Sequence, residues 1–163
     1  EFIIKLATEQ TAWKMTLQNP FILVAEDDEE DRMLLQDALD EVNVCHTINY
    51  VSNGQELIDK LNFLIESNTQ LPDLILLDLN MPKKDGREAL NEIKLDKNFK
   101  SIPIIILSTS NDKEDIINSY NLGGNSFITK PTSYSSLLEI AGEIKRYWLE
   151  IAKLPSKIQF NPN

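Results

Sequence analysis

Residues 73–82 read DLILLDLNMP, and this stretch decides the fold. Four consecutive apolar residues, Leu74–Leu77, lie between two aspartates, and the run ends abruptly at Asp78. A short run that is apolar at every position is typical of a parallel strand with both faces covered by helices. Pro82 and Gly86 then indicate a loop before the next helix. The stretch therefore predicts a buried strand that carries a carboxylate at its end.

The same order of strand, loop and helix occurs five times along the chain. Short apolar runs predict strands at residues 21–25, 46–51, 73–77, 102–107 and 126–129. A helical spacing of apolar residues follows each run, and after the first run it places residues at i, i+3, i+4 and i+7. These residues are Leu35, Ala38, Leu39 and Val42. The alternation predicts an α/β fold, a doubly wound sandwich around one parallel sheet.

The length predicts a single domain, because 163 residues are enough for one hydrophobic core and leave little room for a second. We expect residues 1–19 to be a leader or a remnant of expression, residues 20–152 the domain, and residues 153–163 a tail. Gly123 and Gly124 are expected to end the fourth helix in a left-handed conformation. One face of the last helix is predicted to carry Leu137, Ala141, Ile144, Trp148 and Ile151.

The composition excludes several classes of function. The formal net charge is −10, and the sequence has no basic patch of the kind that binds nucleic acid. No apolar run approaches the roughly 20 residues that span a bilayer. The single cysteine, Cys45, excludes an intrachain disulfide and fits the reducing cytoplasm, where we expect the protein to act.

Polar side chains stand where the predicted strands end. Because parallel strands present their carboxyl ends at one edge of the sheet, we expect these side chains to converge on one site. They are Glu26, Asp27 and Asp28 after strand one, Asp78 and Asn80 after strand three, Ser108 and Thr109 after strand four, and Lys130 after strand five. Carboxylates this close repel one another, so the predicted cluster needs a cation.

A hard divalent cation fits this predicted cluster. Mg²⁺, or Mn²⁺ in its place, prefers oxygen ligands, which Asp27 and Asp78 supply as carboxylates and Asn80 as a backbone carbonyl. Asp78 is then the natural nucleophile, because a carboxylate takes up a phosphoryl group as an acyl phosphate. The metal, the Lys130 ammonium and the Ser108 hydroxyl are each expected to take one phosphoryl oxygen.

Five short motifs therefore stand in order at the strand ends. They are Glu26-Asp27, Asp78 within Leu76-Leu77-Asp78-Leu79-Asn80-Met81-Pro82, Ser108, Phe127, and Lys130-Pro131. With them the sequence resembles the response-regulator receiver family of two-component signalling, over roughly residues 20–151. Asp78 and Lys130 are 52 residues apart (130 − 78), as is typical of that family. The resemblance implies a flavodoxin-like sheet with strand order 2-1-3-4-5.

The resemblance implies a role for each motif residue. Asp78 accepts a phosphoryl group from a histidine kinase, which makes the protein a phosphoacceptor of a signalling pathway and not an enzyme with a separate substrate. Glu26 holds the metal through a water molecule. Ser108 is the switch hydroxyl that moves towards the phosphoryl group, and Phe127 is the switch aromatic that changes rotamer with it. The bond between Lys130 and Pro131 is expected to be cis.

A closer resemblance is to the single-domain regulators that partner bacterial phytochromes. It rests on Leu71-Pro72-Asp73, on residues 81–88 and 107–110, and on Tyr147-Trp148-Leu149. It implies a phytochrome-like sensor histidine kinase as donor, and a downstream protein or phosphotransfer protein as the receiver of the signal. We also expect a homodimer, formed by the face that bears strands four and five and the last helix. The off-stripe residues Tyr134, Leu138 and Tyr147 favour that surface.

Three other functions share parts of the pattern. A phosphatase of the haloacid dehalogenase type places a second aspartate two residues after its nucleophile, where this chain has Asn80, which cannot transfer a proton. A flavodoxin-like cofactor protein carries Ser, Thr and Gly after strand one, whereas residues 26–28 here repel phosphate. A pseudo-receiver, a binding module that is never phosphorylated, stays open. For single residues, Phe127 has an alternative as core packing and residues 29–31 as a solvated helix start.

Overall fold

The strands and helices follow the predicted order. In the computed structural model, which describes residues 19–44 and 47–157, five strands alternate with five α-helices. The strands are β1 (Phe21–Ala25), β2 (Thr47–Val51), β3 (Leu74–Leu77), β4 (Ile104–Ser108) and β5 (Ser126–Thr129). The helices are α1 (Glu29–Glu41), α2 (Gly54–Glu66), α3 (Gly86–Leu95), α4 (Lys113–Asn121) and α5 (Tyr134–Ile144).

All five strands are parallel and lie in the order β2-β1-β3-β4-β5. The predicted doubly wound, flavodoxin-like sandwich is therefore confirmed. In the register of the sheet, Ala25 at the end of β1 lies opposite Leu77 at the end of β3. The residues that follow these two, Glu26 and Asp78, consequently leave the sheet side by side.

The sheet separates two apolar layers. Successive side chains of a strand point to opposite faces. Ile75 and Leu77 pack in the layer formed with α2 and α3, whereas Leu74 and Leu76 pack in the layer formed with α1 and α5. All four are buried, and each contributes roughly 1.5–3 kcal/mol by leaving water. The run is apolar at every position because both faces of β3 lie in the core.

Each α-helix begins after a side chain that caps it. The capping side chain accepts a hydrogen bond from a backbone N–H of the first turn, which contributes about 1 kcal/mol. The caps are Asp28, Asn53, Asp85, Asp112 and Ser133. Because the caps fix where the helices begin, they also fix the loops at the carboxyl edge of the sheet.

The last helix departs from its predicted pattern after Ile144. It continues over Lys145–Ile151 in wider, π-helical turns, and the N–H of Ala152 donates to the carbonyl of Tyr147, five residues earlier. Trp148 within these turns still packs against the core layer of α1 and α5. Ile151, at the end of the predicted stripe, is 57% exposed.

Some predictions fall on residues that the structure does not describe. Residues 1–18 of the predicted leader, Cys45 and His46, and residues 158–163 of the predicted tail all lie outside the described ranges. The domain bounds stay a prediction. Within the described ranges, no helix combines the length and apolar character needed to cross a membrane.

Two glycines occupy positions where a side chain would be strained or would clash with the backbone. Gly123 has a φ of 99°, which is the left-handed conformation expected at the end of α4. Gly86, at the start of α3, donates its N–H to the carbonyl of Leu79 at 2.8 Å. A Cβ atom on Gly86 would lie 2.1 Å from the carbonyl oxygen of Asp78. Helix α3 can therefore approach the loop after β3 only because residue 86 has no side chain.

Gly86→Ala is expected to destabilise the protein by about 1–3 kcal/mol, because the added methyl group pushes the backbone of Asp78 away from α3. Gly142→Ala is the matched control, since a Cβ atom there meets nothing within 4 Å. In the interior of α5 that change is expected to stabilise by about 0.5–1 kcal/mol. Urea denaturation measures both variants, and equal stabilities would contradict the close approach at Gly86.

Candidate functional site

Four neighbouring strands bring the predicted polar side chains to the carboxyl edge of the sheet. The ladder continues one residue beyond the strands. The N–H of Asp78 donates to the carbonyl of Ala25 at 3.0 Å, and the N–H of Lys130 donates to the carbonyl of Ser108 at 2.8 Å. The sheet backbone thus holds Asp78 and Lys130 in place, and a rigid element of this kind positions a binding or reacting group accurately.

Three carboxylates meet at this edge. One oxygen each from Glu26, Asp27 and Asp78 lies within 4.8 Å of the other two. Glu26 and Asp78 are buried, whereas Asp27 is exposed, so the cluster opens towards solvent on one side. A set of carboxylate oxygens suits hard divalent cations such as Mg²⁺ and Mn²⁺. The residues present fit such an ion, with Asp27 on the side from which it would enter.

Lys130 reaches across the cluster from the end of β5. Its Nζ lies 2.5 Å from Glu26 Oε2, 2.7 Å from Asp31 Oδ2 and 3.2 Å from Asp78 Oδ2. The sequence predicted that Glu26 and Asp78 converge on one site with Lys130. Asp31 was not predicted there, because residues 29–31 also suit the solvated first turn of a helix. No sequence signal separated Asp31 from its two acidic neighbours.

The pKa values of Glu26 and Lys130 stand above their usual ranges. Burial raises the pKa of Glu26 above its usual range, and the hydrogen bond from Lys130 opposes that shift. Burial alone would lower the pKa of Lys130. The hydrogen bonds to Asp31 and Glu26 outweigh it, so the pKa of Lys130 stands above its usual value. Lys130 is therefore a firmly charged ammonium in an acidic environment.

The prediction of a cis bond between Lys130 and Pro131 is wrong. No peptide bond within residues 19–44 and 47–157 is cis, so this bond is trans. The trans form of an X–Pro bond is favoured by about 0.5–1 kcal/mol. In the trans form, the Lys130 side chain already reaches its carboxylate partners. The geometry of the cluster therefore does not require the less favourable isomer.

The other predicted site residues lie around this cluster. The N–H of the exposed Asn80 donates to Asp78 Oδ1 at 3.3 Å. Ser108 ends β4 and is completely buried, and its Oγ accepts the N–H of Ser110 at 3.4 Å. Phe127 is half-buried in β5 and packs against the core layer of α2 and α3. The packing of Phe127 agrees with its alternative as a core residue, and its switch role stays a prediction.

Arg32 anchors the loop that carries the first two carboxylates. Its Nε donates to the carbonyl of Glu26 at 2.7 Å, and its Nη2 donates to the Ser52 hydroxyl at 2.8 Å. The guanidinium lies 5.9 Å from the ring centroid of Tyr50. These contacts join the end of β1 to the loop after β2. No pattern in the sequence indicated this role, which depends on the pairing of β1 with β2.

A second ion pair braces the loop after β4. Arg87 at the start of α3 reaches Asp115 in α4, with Nη2 and Oδ2 2.7 Å apart. The Ser110 hydroxyl donates to the same carboxylate at 2.6 Å. The hydrogen bonds from Ser110 and Arg87 hold the pKa of Asp115 below its usual range. The loop that follows Ser108 is thereby attached to both helices beside the cluster.

The fold and the site together define the class. The chain belongs to the response regulator receiver domain family, whose sequence profile matches residues 22–141. The resemblance found in the sequence is thus confirmed. The chain is 39% identical to the response regulator Rcp1 of Synechocystis sp. over 136 residues, which are 83% of this chain and 92% of that protein.

Solved structures give the same result. The phosphorylated cyanobacterial phytochrome response regulator RcpA is 44% identical with a TM-score of 0.78, over 85% of this chain and 99% of that one. The Mn²⁺-bound form of Rcp1 is 38% identical with a TM-score of 0.73, over 83% of this chain and 99% of that one. This protein is similar to both along most of its length.

Asp27→Asn is expected to weaken Mn²⁺ and Mg²⁺ binding by at least about tenfold, because it removes a charged oxygen ligand, and even outer-shell changes cost about 10–100-fold. Asp37→Asn is the control, since it removes one exposed carboxylate from α1 outside the cluster. Isothermal titration with Mn²⁺ measures both. If Asp27→Asn binds as tightly as the wild type, the metal site lies elsewhere.

Proposed function

We propose that this protein is a signalling switch that accepts a phosphoryl group from a histidine kinase on Asp78, in a reaction that depends on Mg²⁺ or Mn²⁺. The observation that carries the proposal is the environment of Asp78. Its carboxylate is buried, lies beside Glu26 and Asp27, and has the Lys130 ammonium 3.2 Å from one oxygen. A carboxylate nucleophile that lies between a metal site and the ammonium of a lysine suits phosphoryl transfer.

In the proposed reaction, an Asp78 carboxylate oxygen attacks the phosphorus of a phosphohistidine. The new O–P bond forms as the N–P bond breaks, and the histidine nitrogen leaves with the electron pair. The three peripheral phosphoryl oxygens carry the charge of the transition state. Lys130 binds one of them and Ser108 donates its hydroxyl to another, and a cation held by Asp27 and Asp78 would supply further positive charge. Hydrolysis by water later restores the free carboxylate.

The remaining residues have supporting roles in this proposal. Asn80 would supply its backbone carbonyl to the metal, and Glu26 would contribute through a water molecule. The Ser108 hydroxyl moves towards the phosphoryl group, and Phe127 follows it by changing rotamer. The ion pair between Arg87 and Asp115 borders the loop after Ser108. A movement of Ser108 would therefore displace this loop first.

Asp78→Asn is expected to abolish phosphoryl labelling, because an amide does not form an acyl phosphate. Intact-protein mass spectrometry after treatment with acetyl phosphate and Mg²⁺ measures the added phosphoryl mass. The wild type is expected to gain one phosphoryl group, and to lose the gain when EDTA replaces Mg²⁺.

Asp73→Asn is the matched control for this experiment. Asp73 is a buried aspartate at the opposite end of β3, where its Oδ2 accepts the N–H of Phe21 at 2.7 Å. Labelling is expected to persist in any folded Asp73→Asn protein. Labelling that also persists in Asp78→Asn would refute Asp78 as the acceptor, and an unlabelled wild type would favour the pseudo-receiver.

The proposed phosphoryl donor is a phytochrome-like sensor histidine kinase. The similarity to RcpA, whose structure is named as that of a phytochrome response regulator, supports this choice. We propose that the signal then passes by contact to a downstream protein or a phosphotransfer protein. Purified candidate kinases, labelled with ATP and mixed with the protein, would reveal the donor as the one that transfers its phosphoryl group fastest.

We also propose a homodimer through the predicted face, which bears β4, β5 and the last helix. Exposed aromatic side chains of the last helix, Tyr134 and Tyr147, support the proposal, and the exposed Ile117 and Tyr120 lie on the neighbouring α4. Of the predicted dimer residues, Leu138 instead lies half-buried against the core layer of α1 and α5. Sedimentation equilibrium with and without acetyl phosphate tests the idea, and a monomer in both states would overturn it.

A further inference from the structure

The three ion pairs of Lys130 are unequal. Two of its partners, Glu26 and Asp78, end neighbouring strands and have side chains that are only 7% exposed. The third, Asp31, lies in the first turn of α1 and has a side chain that is 41% exposed. Asp31 nevertheless lies nearer to the ammonium than Asp78 does, at 2.7 Å against 3.2 Å.

The donors of Lys130 are fully used. An ammonium group has three N–H donors, and three carboxylates accept them. A phosphoryl oxygen on Asp78 can therefore gain a hydrogen bond from Lys130 only if one carboxylate gives its bond up. The identity of that carboxylate decides how readily Lys130 serves the phosphoryl group.

Asp31 is the partner that is easiest to release. Glu26 is buried, and leaving its charge without a partner would carry a large desolvation penalty. Asp78 carries the phosphoryl group itself. Asp31 borders a cavity of about 160 Å³, which Leu34, Lys130 and Tyr134 also line. That space is large enough for several water molecules, which would solvate the Asp31 carboxylate once it leaves Lys130.

We infer that Asp31 is a positioning residue. It accepts a hydrogen bond from Lys130 until a phosphoryl oxygen on Asp78 takes over that donor. Its carboxylate and a phosphoryl oxygen compete for the same ammonium donor, so Asp31 lowers the affinity of the site for phosphoryl groups. The N–H of Asp31 donates to the helix cap Asp28 at 3.0 Å, which holds the backbone from which the competing carboxylate extends. This inference rests on the proposed phosphorylation of Asp78.

Asp31→Asn is expected to tighten the binding of beryllium trifluoride, a mimic of the phosphoryl group, by about twofold to fivefold, as the loss of a partly exposed competing ion pair predicts. Titration in the presence of Mg²⁺, followed by ¹⁹F NMR, gives the dissociation constant. The rate of phosphorylation by acetyl phosphate is expected to rise in the same direction. An unchanged or weaker affinity in Asp31→Asn would overturn the inference.

Two further variants separate competition for Lys130 from other effects. Glu30→Gln removes the same charge from the same helix turn, one residue away from the Lys130 partner, and is expected to leave the affinity unchanged. Asp31→Glu keeps a carboxylate within reach of Lys130 and is expected to bind with the wild-type affinity. Equal tightening in Glu30→Gln would reduce the effect to net charge, and equal tightening in Asp31→Glu would exclude competition; either result overturns the inference.

The same titration separates this inference from the function on which it rests. A wild-type protein that binds no beryllium trifluoride refutes both. A wild-type protein that binds it with the same dissociation constant as Asp31→Asn refutes only the role of Asp31. Urea denaturation confirms that each variant is folded, and Asp31→Asn keeps the backbone N–H that donates to Asp28.

Discussion

The balance of charge around Lys130 is the constraint on which the rest of the site depends. Two buried carboxylates, Glu26 and Asp78, stand at the ends of neighbouring strands, and charges in such places are tolerated only when they are paired. A single ammonium from β5 pairs with both. The sheet must bring β1, β3 and β5 to one edge for this to happen, so the fold and the charge balance require each other.

The surrounding structure holds that edge in place. Arg32 anchors the backbone of Glu26, capping side chains fix where the helices start, and Gly86 lets α3 lie against the carbonyl of Asp78. On the other side, the ion pair of Arg87 with Asp115 braces the loop after β4. These contacts are local and polar, whereas the core beneath them is apolar on both faces of the sheet. An apolar scaffold therefore carries a polar site at the carboxyl edge of the sheet.

The sequence predicted the parts of this arrangement that depend on local pattern. Runs that are apolar at every position predicted the parallel strands. The polar residues after these runs predicted most of the cluster, because the carboxyl ends of parallel strands lie at one edge of the sheet. The bond before Pro131 is trans where the resemblance implied cis. Ile151, at the end of the predicted stripe, is exposed where the helix has widened into π-helical turns. Neither turn width nor isomer is encoded in hydrophobic spacing.

The sequence by itself determined the order of strands and helices, the family, and the residues Glu26, Asp27, Asp78 and Lys130 at the strand ends. Only the tertiary structure decided which of the acidic residues share Lys130. Asp31 and Lys130 are 99 residues apart in the chain, and Arg87 and Asp115 are 28 apart. Such pairs follow from the packing of one element beside another, because charges on an exposed helix turn look alike in sequence until a partner from a distant strand selects one.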